Sequence, residues 1–288
     1  MIKLPFLNKE FASKEETVKF LKENRKRLID LKKSKDHETP TVKFQYSFEY
    51  QKTVTNKAEE EEIVSPQDAD TIKVKVVMNT TNYLDSHFDV HLPGIWKKTI
   101  EQNAAKGFYH IQEHQTSKFD YIIAYPEDVK VYTEFKNWSE LGYSFPGQTE
   151  CLIFESIIRK DVNPLMFERY KKKRVREHSV GMRYMQIELA VYDPEDEKEM
   201  DFWNKYIGQI VNREVAEEYG FFWVVPEAKL REGSAVPFGS NDTTPTLEVE
   251  EKENTEDSDK SISNEPSPDI QQEPQTTQKF PPSSLLIY

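Results

Sequence analysis

A single cysteine, Cys151, among 288 residues excludes an intrachain disulfide and any zinc site built on cysteine ligands. Its setting, Glu150-Cys151-Leu152-Ile153-Phe154, reads as strand. The thiol is therefore expected to be a buried structural group rather than a nucleophile, in a protein suited to a reducing cytoplasm. Long apolar runs are also missing. No stretch approaches the ~18–20 residues that a bilayer span needs, and Met1-Ile2-Lys3-Leu4-Pro5-Phe6-Leu7 is too short and too soon interrupted to read as a signal peptide. Basic residues are in deficit, 39 Lys and Arg against 51 Asp and Glu, which argues against a nucleic-acid partner. The basic cluster Arg169 to Arg176 reads as the solvated end of a helix running into a strand. No internal repeat is present.

Hydrophobic residues amount to only 36%, and the deficit is uneven. From Glu248 to Tyr288 there are ten acidic and three basic residues, so this stretch holds −7 of the formal −12. Rich in Pro, Ser, Thr and Gln, it cannot bury enough apolar surface to offset the entropy of ordering it. Three regions are expected: an extension of helix, strand and acidic loop over 1–70, a folded body over 71–245, and a disordered acidic tail over 246–288. The tail ends in an apolar cluster, Phe280-Pro281-Pro282-Ser283-Ser284-Leu285-Leu286-Ile287-Tyr288, of a kind that docks in partner grooves.

What is present is mostly short strands. Ser13 and Glu16 have capping-box spacing, and Val18, Phe20, Leu21, Leu28, Ile29 and Leu31 predict a charged, peripheral helix to about Lys33. Val42, Phe44, Tyr46, Phe48 and Tyr50 alternate as in a strand. Further strands are expected over 72–78, 108–114, 121–125, 129–135, 150–158, 177–192, 221–225 and 228–236. Helices are expected from Pro93 to about Asn103, from Pro164 to about Lys173, and from Asp193 to near Gly220. Many short strands with scattered helices predict an α+β fold, mostly an antiparallel β-barrel with surrounding helices.

Two segments carry side chains suited to acyl transfer. His114 closes His110-Ile111-Gln112-Glu113-His114, and Ser179 lies in Glu177-His178-Ser179-Val180-Gly181-Met182. A serine hydroxyl is a poor nucleophile until a neighbouring imidazole can take its proton. In an extended strand Ser179, Gly181 and Arg183 share a face, and Gly181 would leave room for a substrate backbone. Backbone amides near Gly181, or Arg183, could stabilise an oxyanion. A third group should orient the imidazole; Glu232, Asp120, Glu113 and Glu177 have the right charge. Glu232, sharing a predicted strand face with Leu230 and Ser234, needs a partner if buried, either a histidine or, in a structural ion pair, Arg183 or Arg231. A competing reading is a metal-dependent hydrolase using His87, His91, Asp85 and Asp89. His110 and His114, about 13 Å apart on a strand, cannot share a metal.

The order Asp85-x-x-x-Asp89-Val90-x-x-Pro93-Gly94, His114, Ser179-Val180-Gly181, Glu232-x-Ser234-x-Val236-Pro237 and Asn241 resembles the prohead maturation proteases of tailed bacteriophages, relatives of the herpesvirus assembly proteases. The resemblance spans residues 72–245. It implies a herpesvirus-assemblin-like β-barrel serine endopeptidase with His114 as general base, Ser179 as nucleophile and Glu232 as third member, acting without metal or cofactor. It further implies the major capsid protein, the scaffold and the protease itself as substrates, self-association, and action inside the assembling procapsid in the host cytoplasm, with no membrane or nucleic-acid partner. The chain departs from the family pattern at Pro237-Phe238-Gly239-Ser240-Asn241, at Met182, in its first 70 residues and in the helix between the Ser179 and Glu232 strands. The other reading of the same features is a non-catalytic capsid-assembly or scaffold-associated protein on the same fold, with the tail end directing it to the shell.

Overall fold

In a computed structural model the structure describes residues 2–4, 7, 9–34 and 70–251. The alternating segment 42–50, the acidic loop before residue 70 and the apolar end at 280–288 lie outside the described residues. Among the described residues no helix is long and apolar enough to cross a membrane.

The fold is α+β, with strands outnumbering helices. A short hairpin, β1 (Ile2–Leu4) and β2 (Lys9–Phe11), precedes helix α1 (Lys14–Ser34). The helix begins where expected, because Ser13 Oγ accepts from Glu16 N at 3.2 Å and Glu16 Oε2 accepts from Ala12 N at 2.9 Å, a reciprocal cap. It is not peripheral. Thr17, Leu21, Leu28 and Lys32 are buried along one stripe, and Arg25 and Lys22 form ion pairs with Glu199 and Asp193.

One sheet is antiparallel, built from β3 (Thr71–Thr80), β7 (Val129–Asn137), β8 (Gln148–Arg159) and β11 (Thr246–Glu251) in the order β11-β3-β8-β7. The last strand corrects the expected boundary, since residues 246–251 belong to the folded body. Composition marks them as tail because of their glutamates, but Glu248 and Glu250 pair in register with Lys75 and Lys73 of β3, so opposite charges face each other across the strands.

The second sheet is organised by β10 (Phe221–Val236), one long strand where two were expected. Where the two were expected to part, its pairing shifts register between Val224 and Glu227. The antiparallel partner of β10 on one side is β9 (Glu177–Val191). Two short strands run parallel to β10: β4 (Asp89–His91) beside its first half and β5 (His110–Gln112) beside its second, with β6 (Ile122–Ala124) antiparallel to β5. The sheets pack on one apolar core drawn from both, including Val74, Val76, Phe154, Val180, Met182 and Leu230. Gly233 sits at their close approach, where a Cβ would meet Phe154 and Met78 side chains.

Hydrogen bonding among the described residues leaves both sheets open, so the expected barrel is not closed. Side chains end the sheet edges. Thr244 Oγ1 accepts from His178 N at 3.2 Å and donates to His178 O at 2.7 Å, and Asn163 donates to Ile122 O at 3.2 Å.

The other helices are α2 (Lys97–Asn103), α3 (Pro164–Lys171), α4 (Glu197–Ile207) and α5 (Arg213–Tyr219). Pro93 and Gly94 form a turn before α2 rather than its first turn. The single helix expected over 193–220 is broken between Gly208 and Asn212, because Asn212 is pinned to the backbone of Leu84 by two 2.9 Å hydrogen bonds. Cys151 is buried, as its strand context requires, and burial pushes its thiol up to about 12.

Candidate active site

The site lies on the face of the second sheet turned away from the core. In the β9–β10 ladder Ser179 pairs with Ser234 and Gly181 with Glu232, and directly opposed residues project to the same side. The phase depends on a bulge. Met182 pairs with Leu230, but Gly181 pairs with Glu232, leaving Arg231 as the extra residue. Leu230 therefore faces the core, correcting the expectation that it shares a face with Glu232, whereas Glu232 and Ser234 join Ser179.

His114 reaches this face from a turn, not from a strand. After β5 ends at Gln112, Glu113 and His114 adopt left-handed backbone, φ 52° and 55°, a conformation held in non-glycine residues only when its surroundings over-determine it. Here Ala235 O accepts from Glu113 N at 3.0 Å and Ser234 Oγ accepts from His114 N at 3.1 Å. The imidazole then lies against Glu232, with His114 Nδ1 to Glu232 Oε1 at 2.6 Å. His114, Ser179, Glu232 and Ser234 are all buried.

Proton bookkeeping defines the tautomer. Ser234 Oγ accepts from the His114 amide, so its own hydrogen goes to Glu232 Oε2 at 2.7 Å. With an ionised carboxylate both Glu232 oxygens accept. In that arrangement Nδ1 of a neutral His114 carries the hydrogen, which leaves the lone pair on Nε2. That Nε2 is buried and makes no hydrogen bond among the described residues, to Ser179 Oγ or to any other group.

Of the acidic groups considered for orienting the imidazole, Glu232 alone occupies that position. Glu177 accepts from Gly239 N at 3.0 Å, Glu113 is the turn residue before His114, and Asp120 lies in the short 3-10 helix Phe119–Tyr121. Gly181 does not leave room for a substrate backbone; a Cβ there would run into the Glu232 carboxylate. Arg183 is exposed and pairs with Lys229 on the far side of the bulge. Beside Glu232 opens a cavity of about 370 Å³ lined by Tyr109, Ile111, Phe119, Ile122 and Arg231 among others.

The acidic and histidine cluster near β4 has a different character. Asp85, His87 and Asp89 offer atoms within 4.8 Å of one another, but a lysine ammonium already balances them. Buried Lys32 pairs with Asp89 Oδ1, and Tyr184 donates to Asp89 Oδ2 at 2.6 Å. Asp85 Oδ1 accepts from the amides of His87 and Asp89 at 2.8 and 2.9 Å. His91 Nδ1 is bonded to Asn79 at 2.9 Å.

Sequence reasoning missed a second polar chain on the core side of the same strands. Tyr170 of α3 bridges His110 of β5 and His178 of β9, with Oη to Nε2 distances of 3.1 and 3.0 Å. His178 Nδ1 must donate to Thr244 O at 2.9 Å, so Tyr170 donates to His178 and accepts from His110, whose Nδ1 takes the Ser156 hydroxyl hydrogen at 3.0 Å. Every group is satisfied with both imidazoles neutral. Burial lowers both, His178 to about 4. An unfolded histidine protonates below about 6.5 while this one stays neutral, so the unfolded chain binds more protons and stability falls on acidification between pH 6.5 and about 4. Compared with a His178→Asn variant, the wild type should lose about 1.4 kcal/mol more per pH unit across that window, roughly 3 kcal/mol in all. Urea titrations at stepped pH check this; the opposing contribution of Asp85, raised by burial, cancels in the comparison.

No family model matches this chain, and comparison with curated proteins and with solved structures likewise finds no match.

Proposed function

We propose that the chain is a serine endopeptidase, with Ser179 as nucleophile, His114 as general base and Glu232 as the carboxylate that orients it. One observation carries the reading. A buried imidazole is held through Nδ1 by a buried carboxylate, its Nε2 has no hydrogen-bond partner among the described residues, and both lie on the face that carries a serine. A structural histidine would have both nitrogens satisfied, as His110 and His178 do.

In the proposed reaction His114 Nε2 takes the Ser179 hydroxyl proton as Oγ bonds to the scissile carbonyl carbon. The tetrahedral adduct collapses, the C–N bond breaks, and the imidazolium gives its proton to the departing amine. Water, deprotonated by the same Nε2, then releases the acyl group and restores the Ser179 hydroxyl. Glu232 stays ionised and stabilises the imidazolium. The cavity beside Glu232 would seat a substrate side chain.

The motif order implies the polypeptides cut: capsid and scaffold proteins, and the chain itself, inside a phage procapsid in the host cytoplasm. With this reading goes the finer fold, an assemblin-like barrel of which the two core-sharing sheets would be the opened halves. A fluorophosphonate probe tests the chemistry. It should add to Ser179, located by peptide mass spectrometry, and Ser179→Ala should abolish both labelling and processing of a co-expressed major capsid protein. Labelling that persists in Ser179→Ala, or its absence from the folded wild type, sinks the proposal.

A further inference from the structure

We infer that Ser234 is the positioning residue of this site, setting both the orientation of Glu232 and the backbone conformation of His114. The effect on rate rests on the peptidase reading; the geometric effect does not. Ser234 is fully buried on β10, opposite Ser179 on one side and Ile111 on the other. Its hydroxyl makes two contacts at once, donating to Glu232 Oε2 at 2.7 Å and accepting from His114 N at 3.1 Å.

Each contact constrains a different degree of freedom. The first stops rotation of the Glu232 carboxylate, whose terminal torsion is otherwise broad. The second supplies the acceptor for a buried amide and holds His114 at its positive φ. Together with the Nδ1 to Oε1 bond they close a ring through the His114 backbone, Ser234, the Glu232 carboxylate and the imidazole. A short side chain suits this task, since Oγ is one bond from Cβ and its position follows from the strand. With the ring closed, Nε2 has one direction to face; with it open, the imidazole and carboxylate can swing as a pair without losing their mutual bond.

The test uses the full chain and a fluorophosphonate probe. In labelling, Ser179 Oγ bonds to phosphorus, fluoride leaves, and the hydroxyl proton passes to His114. Ser234→Ala should slow labelling roughly 10–100-fold, the scale of an ångström-sized misplacement. In proton NMR the downfield His114 Hδ1 signal should move upfield or be lost to exchange. In a Glu232→Ala background Ser234→Ala should cost less than it does alone, since only its contact with the His114 amide is then left to lose. Ser234→Cys, close to isosteric with a weaker donor, covers the case in which alanine fails to fold; it should slow labelling several-fold with the same direction of spectral change. An unmoved Hδ1 signal in a folded variant, or rate losses that multiply in the double variant, overturns the inference. If the wild type itself is not labelled, the peptidase reading fails while the Hδ1 signal still decides the role of Ser234.

Discussion

Replacing His114 with alanine should slow fluorophosphonate labelling of Ser179 by about 10²–10⁴-fold, the usual contribution of a positioned general base. The expectation follows from the division of labour between the ring nitrogens. Nδ1 is committed to Glu232 at 2.6 Å, and Nε2 has no other described partner to compete for the serine proton. Without the imidazole, Ser179 reacts only as an ordinary hydroxyl. The variant keeps Ser234 bonded to Glu232, so the carboxylate retains one donor and the sheet its register. Rates are to be compared well below the melting temperature, with circular dichroism confirming the fold. A His114→Ala protein labelled at the wild-type rate would mean that Ser179 draws on a different base or on none.

Lys32→Ala should cost about 3–5 kcal/mol of stability, because it leaves a buried carboxylate without its counter-charge. Lys32 and Asp89 are 2% and 0% exposed. Removing the ammonium leaves Asp89 with the Tyr184 hydroxyl and the neighbouring Asp85, whose carboxyl is already pushed well above the ordinary range by burial and then by the Asp89 charge. A raised carboxyl means that the folded chain holds a proton the unfolded one lacks, so its contribution to stability is lost as pH rises. Lys32 holds that carboxyl down, so without it the rise is larger, and the deficit of Lys32→Ala should shrink towards acid and grow towards alkali. Exchanging both partners, Lys32→Met with Asp89→Asn, should recover most of the loss, since paired removal leaves no orphaned charge. Denaturant titrations measure all three; a loss below about 1 kcal/mol in Lys32→Ala would show that the pair is solvated rather than buried.

Local pattern made much of this molecule legible. The Ser13–Glu16 cap, the strand alternation of Ile72, Val74 and Val76, and the apolar run around Cys151 all fall in elements of the expected type. His114, Ser179 and Glu232 could be named as candidates because side-chain chemistry is written in the sequence. Lys32 was not, since a lysine in a charged helix reads as solvated, and its burial depends on Asp89 fifty-seven residues away. The glutamates of β11 read as tail for the same reason: their partners are the lysines of β3.

Which residues could do chemistry, and which segments alternate, were properties of the chain alone, because propensity and period-two patterning are local. Whether those residues meet was decided by pairing across distance. One extra residue at Arg231 reverses the phase of β10, sending Leu230 to the core and Glu232 to the face of Ser179, and two left-handed residues turn His114 onto that face. A bulge and a positive φ cost energy locally and are held by residues distant in the chain, β9 for the bulge and Glu232 and Ser234 for the turn at His114, so no window of sequence contains their cause.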